Sequence, residues 1–172
     1  MGIHANPAPR CRSRARSAFI TGWLGTQDHG DKLRGFEASV RACGSALRLA
    51  EVVEAHDDEA VGYRRTTEVL LAHPDLAGIY VSTVNSLPVL HALRDAGRLG
   101  RVTVVTTDLF PGLEPWIREG AVAATLYQRP LAQGRLALQL DPSLAETHAA
   151  MGSALTDNRQ FAEADAEFRQ AI

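Results

Sequence analysis

The chain has 172 residues, room for one ordinary domain or for one domain with a short appendage. Its 45% hydrophobic and 22% charged residues are a globular composition, and a formal charge of −2 supplies no general field for nucleic acid or an anionic membrane. The exception is the segment 1–16, which carries Arg10, Arg12, Arg14 and Arg16 and no acid.

That segment reads as a disordered basic tail. The apolar stretch that follows, "SAFITGWLG", is too short and too broken by glycine for a secretory signal. No apolar run approaches the ~18 residues of a membrane span, so the expected location is cytoplasmic, with no membrane partner. Cys11 and Cys43 have neither metal spacing nor the look of a disulfide framework. Cys43 is expected to be a small buried residue on a helix face.

From residue 17 the pattern alternates. "SAFIT" (17–21) is a short β-prone run. Leu33, Phe36, Val40 and Cys43 share one face of a helix over 28–44. "LRLAEVVEA" (47–55) is β-prone, and 57–74 is a helix with an acidic first turn, stopped by Pro74. "AGIYVS" (77–82) is a buried-type strand. The helix over 86–97 has Ser86 as N-cap, Pro88 in its first turn and Gly97 after its end. A strand (101–107), a short helix (112–120) and a last strand (121–128) follow. This alternation with short links predicts an α/β lobe, a doubly wound parallel sheet with helices on both faces.

Such sheets bind ligands beyond the carboxyl ends of their strands. There the sequence places Gly22-Trp23, His56-Asp57, Thr83 and Asn85, Asp108, and Gln128-Arg129. An indole, carboxylates and side-chain amides on one rim suit a carbohydrate: rings stack on an aromatic face, and Asp, Asn and Gln pair with vicinal hydroxyls. Asn and Asp are also common turn and cap residues, and Asn85 could simply start the next helix.

"DKLRGFEASVRACG", "AGIYVSTVNSLPVLHALRDAG" and "VTVVTTDLFPGLEPWIREGAVAATLYQRPLAQGRLAL" resemble the C-terminal lobe of type 1 periplasmic-binding-protein domains. The closest flavour is the sugar-sensing domain of lactose-repressor-like (LacI-family) transcription regulators, over about residues 17–138. The resemblance implies an effector cleft lined by Lys32, Asn85, Asp108 and Gln128. Lys32 stands where the family has a basic residue three positions before the glycine of an "R-x-x-G-F" element; it keeps the charge and loses the planar fork of arginine. Trp23 would offer the stacking face. The family's other lobe should precede "SAFIT", where only the arginine-rich tail stands, and no helix-turn-helix is visible. The expectations are a small-molecule ligand, a sugar, held by half a cleft and so weakly; no direct DNA contact; and a homodimer with part of its interface missing.

From about Leu138 the pattern changes. "ALQLDPSLAETHAAMGSALTDNRQFAEADAEFRQAI" resembles one tetratricopeptide repeat. Ala137 and Ala171 stand one 34-residue period apart. Met151-Gly152, Ala164, Phe168 and Ala171 match its signature positions, and Asp141-Pro142 matches its "D-P". His148 replaces the usual tryptophan, Leu155 the usual tyrosine and Arg159 the usual turn glycine. Two helices (about 145–157 and 161–172) should pack closely at Gly152 and Ala164, with Phe161 and Phe168 filling the groove between them. An ordinary helical hairpin is the alternative. About three repeats are needed for a continuous core, so a single one would dock a protein partner through 141–172 or complete a neighbouring array. The divisions are then a tail (1–16), a sensor lobe (17–136) and a hairpin (137–172). Such a chain could be a real fusion or a spliced, truncated or frame-shifted product without function.

Enzyme chemistry finds no support. The G-x-S-x-G, G-x-x-x-x-G-K-[ST] and H-E-x-x-H patterns are absent, and the six histidines lack ligand spacing. His56-Asp57-Asp58 could evoke a phosphoacceptor pocket, but Asp57 or Asp58 capping the next helix is the simpler reading. No catalytic residue, metal or cofactor is expected.

Overall fold

A computed structural model describes residues 15–157 and 159–172. They fall into two compact units, one ending at Tyr127 and the other spanning Gln128–Ile172.

The first unit is built on five strands: β1 (Ala15–Thr21), β2 (Leu47–Glu54), β3 (Leu76–Val81), β4 (Thr103–Thr107) and β5 (Ala124–Leu126). They form one sheet in the order β2-β1-β3-β4-β5, every neighbouring pair parallel. Helices α1 (Gln27–Ala42), α2 (Glu59–Ala72), α3 (Leu87–Asp95) and α4 (Glu114–Arg118) connect them. The expected α/β lobe is therefore present.

Strand alternation decides which side chains meet which helices. Ala18, Ile20, Val53, Ile79, Val81 and Val104 join Val69, Leu70, Leu90 and Leu93 of α2 and α3 in the main core. The opposite face carries Phe19 and Tyr80, which close on Phe36 of α1 with ring centroids 5.4–5.6 Å apart. Aromatic pairs at such spacing add about 0.5–1.5 kcal/mol beyond burial.

Several local readings are corrected. β1 starts at Ala15, two residues early, because Ala15 pairs with Leu47 and Arg16 with Leu76, and Arg16 Nε meets Asp75 at 3.1 Å. Residues 1–14 of the basic tail, with Cys11, lie outside the described residues. Cys43 is exposed: α1 stops at Ala42, and the chain turns at Gly44, whose φ of 64° favours glycine. Ser86 sits at the N-cap position of α3, but its φ and ψ are helical and its hydroxyl makes no cap bond. β5 is only three residues long; Ala121 and Val122 are buried in the link before it, and the Ala123 N–H donates to the Val104 carbonyl. Pro88 and Gly97 stand as expected, the latter at φ 64°.

The second unit holds α5 (Pro130–Leu140), α6 (Ala145–Asp157) and α7 (Phe161–Gln170). Small residues set its spacing. A Cβ on Gly134 would land on Met151 Cγ, and one on Gly152 would lie 2.7 Å from the Phe168 ring. Met151, Leu155 and Ala164 are buried at the helix contacts. Phe161 is not in the groove: it opens α7 and stays 64% exposed. Arg159 takes a left-handed φ of 59°, the conformation a turn glycine would adopt at lower cost.

His148 ties this unit together. One ring nitrogen lies 2.6 Å from the Glu167 carboxylate of α7, the other 3.0 Å from the Pro142 carbonyl. A carboxylate and a carbonyl can only accept, so the doubly protonated ring satisfies both. The hydrogen bond to Glu167, then that to Pro142, raises the His148 pKa above its ordinary 6.5. A raised folded-state pKa contributes stability that is fully present below the unfolded value and lost as pH rises through the folded value. The helical unit should therefore weaken as pH climbs from about 6.5 upward, and His148→Gln should flatten that slope in pH-dependent unfolding. An unchanged slope in H148Q would refute the assignment.

Candidate functional site

The carboxyl edge of the sheet is assembled by register. Thr21 at the end of β1 pairs with Glu54 at the end of β2. The Ser82 N–H, one residue past β3, donates to the Ile20 carbonyl, and the Asp108 N–H, one residue past β4, donates to Leu126. The loops leaving these strands therefore start side by side, and the polar residues assigned to them share one edge.

Trp23 lies in the β1–α1 loop and is 59% exposed. Lys32, on α1, reaches Asp28 at 2.7 Å and the Ser82 carbonyl at 3.3 Å. Its ammonium is thereby anchored at the end of β3. Asn85 follows β3, and its backbone N–H meets the Thr83 hydroxyl at 3.4 Å. Asp108 follows β4 with a left-handed φ of 66°, its carbonyl accepting from the Thr125 hydroxyl. Trp23, Lys32, Asn85 and Asp108 thus belong to the edge of the first unit. Gln128 begins the second unit, two residues past β5 and two before α5.

Asp57 and Asp58 divide their labour. Asp58 Oδ1 accepts from the Val61 N–H at 2.8 Å and caps α2. Asp57, at φ 53°, turns the other way: it accepts from the Thr83 hydroxyl, and its carboxylate lies over Gly22, where a Cβ would stand 2.8 Å from Oδ2. Residues in sparsely populated backbone regions cost about 1–3 kcal/mol and concentrate at functional sites. His56 and Asp57, in the turn after β2, and Asp108, next after β4, all have left-handed φ. Two further groups had no signal in the sequence. Thr21 Oγ1 bridges Ser82 Oγ at 2.7 Å and His29 Nδ1 at 2.6 Å. Glu54 Oε1 accepts the Leu24 N–H at 2.7 Å.

A cavity of about 490 Å³ opens on the α1 face of the sheet, lined by Phe36, Tyr80, Val105 and Leu126 among others. Its walls are mostly apolar and offer little to a polyol. Among the described residues, no group of three or more His, Cys, Asp or Glu side chains could hold a metal ion, and no helix is long and apolar enough to cross a membrane.

A parallel sheet with polar side chains at its carboxyl edge is the open α/β architecture in which such folds hold ligands. The chain belongs to the periplasmic binding protein domain family, whose model matches residues 8–145. It is 28% identical over 124 residues to the D-allose-binding periplasmic protein of Escherichia coli, covering 72% of this chain and 40% of that protein. It is 26% identical over 133 residues to the D-ribose/D-allose-binding protein of Pseudomonas aeruginosa, covering 77% and 41%. The chain thus spans about 40% of the length of these relatives. Among solved structures it resembles GanP, a glucose-galactose binding protein from Geobacillus stearothermophilus, with TM-score 0.62, 24% identity and coverage of 66% and 41%. It also resembles a periplasmic solute binding protein from Actinobacillus succinogenes with bound D-allose, with TM-score 0.64, 21% identity and coverage of 85% and 47%. These two structures support the fold; the sequence relatives are solute-binding proteins rather than transcription regulators.

Proposed function

We propose that the first unit is a sugar-binding lobe. Trp23 stacks on the ring, Lys32 and Asn85 donate to hydroxyls, and Asp57 and Asp108 accept from them. Gln128, which the family resemblance adds to this set, belongs to the second unit. The observation that carries this reading is the carboxyl edge itself: an exposed indole, an anchored ammonium and two carboxylates in left-handed turns on one sheet edge. The names of the relatives, which describe allose and ribose binding, favour the same ligand class. The finer reading is an effector-sensing lobe of LacI-type regulators, and it rests on the order of Lys32, Asn85, Asp108 and Gln128.

Thermal unfolding with D-allose, D-ribose, D-glucose and D-galactose at millimolar concentration tests this. A sugar at ten times its Kd adds about 1.4 kcal/mol, which raises Tm by about 3–6 °C for a chain of this size. A cooperative transition that no sugar moves would sink the reading.

The helical unit favours a second function, docking of a protein partner. Leu136, Leu140 and Phe161 are 59%, 82% and 64% exposed on its surface. A single tetratricopeptide-like repeat would present such residues to a partner. Binding of this kind would survive loss of the sugar edge.

A further inference from the structure

The β1–α1 loop is held at more points than a connecting loop needs. The Gly22 carbonyl accepts from the His56 N–H at 2.9 Å, fixing the start of the loop to the end of β2. The Trp23 carbonyl accepts twice from Thr26, from its N–H at 3.2 Å and its hydroxyl at 2.9 Å. Between these, the Leu24 N–H is taken by Glu54 Oε1 at 2.7 Å, a side chain thirty residues further on. Glu54 is itself fixed as the last residue of β2, paired with Thr21. The indole lies against Gly25. A Cβ at that position would stand 2.6 Å from Cε2 and 2.7 Å from Cζ2 of the Trp23 ring. Tryptophan is highly buried on average. Here the indole rests on Gly25 and stays 59% exposed.

We propose that Glu54 is a positioning residue for Trp23: its carboxylate takes the Leu24 N–H and seats the indole on Gly25, so that the outer face of the ring is ready for the C–H face of a sugar. The proposal rests on the sugar-binding reading and adds a residue that does not touch the ligand. Holding the ring before the ligand arrives removes the ordering cost from the binding step. The acceptor matters and the charge does not, because a glutamine oxygen at the same place can accept the same N–H.

The test uses the full chain labelled with 5-fluorotryptophan, whose two tryptophans, Trp23 and Trp116, give two fluorine resonances. Trp23→Phe assigns them. Without ligand, Glu54→Ala should shift the Trp23 resonance towards that of free indole and raise acrylamide quenching, with Trp116 unmoved. Glu54→Gln should restore the parent signal. With the sugar that gives the largest thermal shift, Glu54→Ala should weaken binding about tenfold, the equivalent of about 1.4 kcal/mol, and Glu54→Gln should bind as the parent does. Gly25→Ala, which displaces the indole while leaving Glu54 in place, should weaken binding similarly. A Trp23 resonance unaffected by Glu54→Ala overturns the proposal, whatever the sugar result. So does a loosened Trp23 with sugar affinity within twofold of the parent. If the parent binds no sugar, the resonance still decides the positioning role, and it is the sugar-binding reading that fails.

Discussion

Replacing Gly152 by leucine is expected to open the contact between α6 and α7. The glycine lets the Phe168 ring lie where a side chain would begin; even the first carbon of leucine would stand 2.7 Å from Cδ1 and Cε1 of that ring. Overpacking of this kind costs about 1–3 kcal/mol. A three-helix unit has little stability to spare against that loss. Gly152→Ala is the informative contrast. Alanine gains about 1 kcal/mol of helix propensity over glycine, and Phe168, 40% exposed, has solvent into which to swing. Alanine should therefore be close to neutral and leucine strongly destabilising. Hydrogen exchange of peptides from α6 and α7 reads the difference. A double-mutant cycle with Phe168→Ala isolates the cause: once the ring is removed, Gly152→Leu should cost less than half as much. Undiminished protection in G152L would mean that this glycine does not set the helix spacing.

The sequence announced such contacts unevenly. The strands and helices were legible because each leaves a periodic record of its own: alternation in "AGIYVS", Pro88 and Gly97 at the two ends of α3, the small residues of α6 and α7. What was not legible depends on partners distant in the chain. Nothing near Glu54 says that it will take the N–H of Leu24, and nothing near His148 says that Glu167 will face it. The tandem Asp57-Asp58 shows a cap, but only the sheet order, which sets β2 and β3 on either side of β1, lets Asp57 reach both Gly22 and Thr83. Cys43 was misplaced for a related reason. A helical wheel extends any stripe to the next matching residue, while the helix ends at Ala42 and the chain turns at the left-handed Gly44. Phe161 likewise matched an apolar position, yet as the first residue of α7 it has no preceding turn to fold back on.

Backbone strain leads to the sharpest expectation for the sugar edge, at Asp108. Its φ of 66° places a residue with a Cβ in the left-handed region, which costs an L-residue about 1–2 kcal/mol and glycine almost nothing. Asp108→Ala and Asp108→Gly both remove the carboxylate that we assign to the sugar, so both should abolish the ligand-induced rise in Tm. They should differ without ligand: alanine keeps the strain and glycine releases it. D108G should therefore unfold about 2–4 °C above D108A, for a difference of about 1 kcal/mol. Glycine's freer unfolded chain offsets part of this gain, by about 0.4–1 kcal/mol, so a D108G less stable than D108A by about that amount would mean that the turn is not strained. Asp108→Asn, which tolerates the left-handed region and keeps one acceptor oxygen, should stay folded like the parent and retain a reduced response. A full thermal response to sugar in D108G would remove Asp108 from the site. A lost response in both variants, with glycine the more stable, would mean that the chain bears local strain at the end of β4 in order to hold a carboxylate where a ligand needs it.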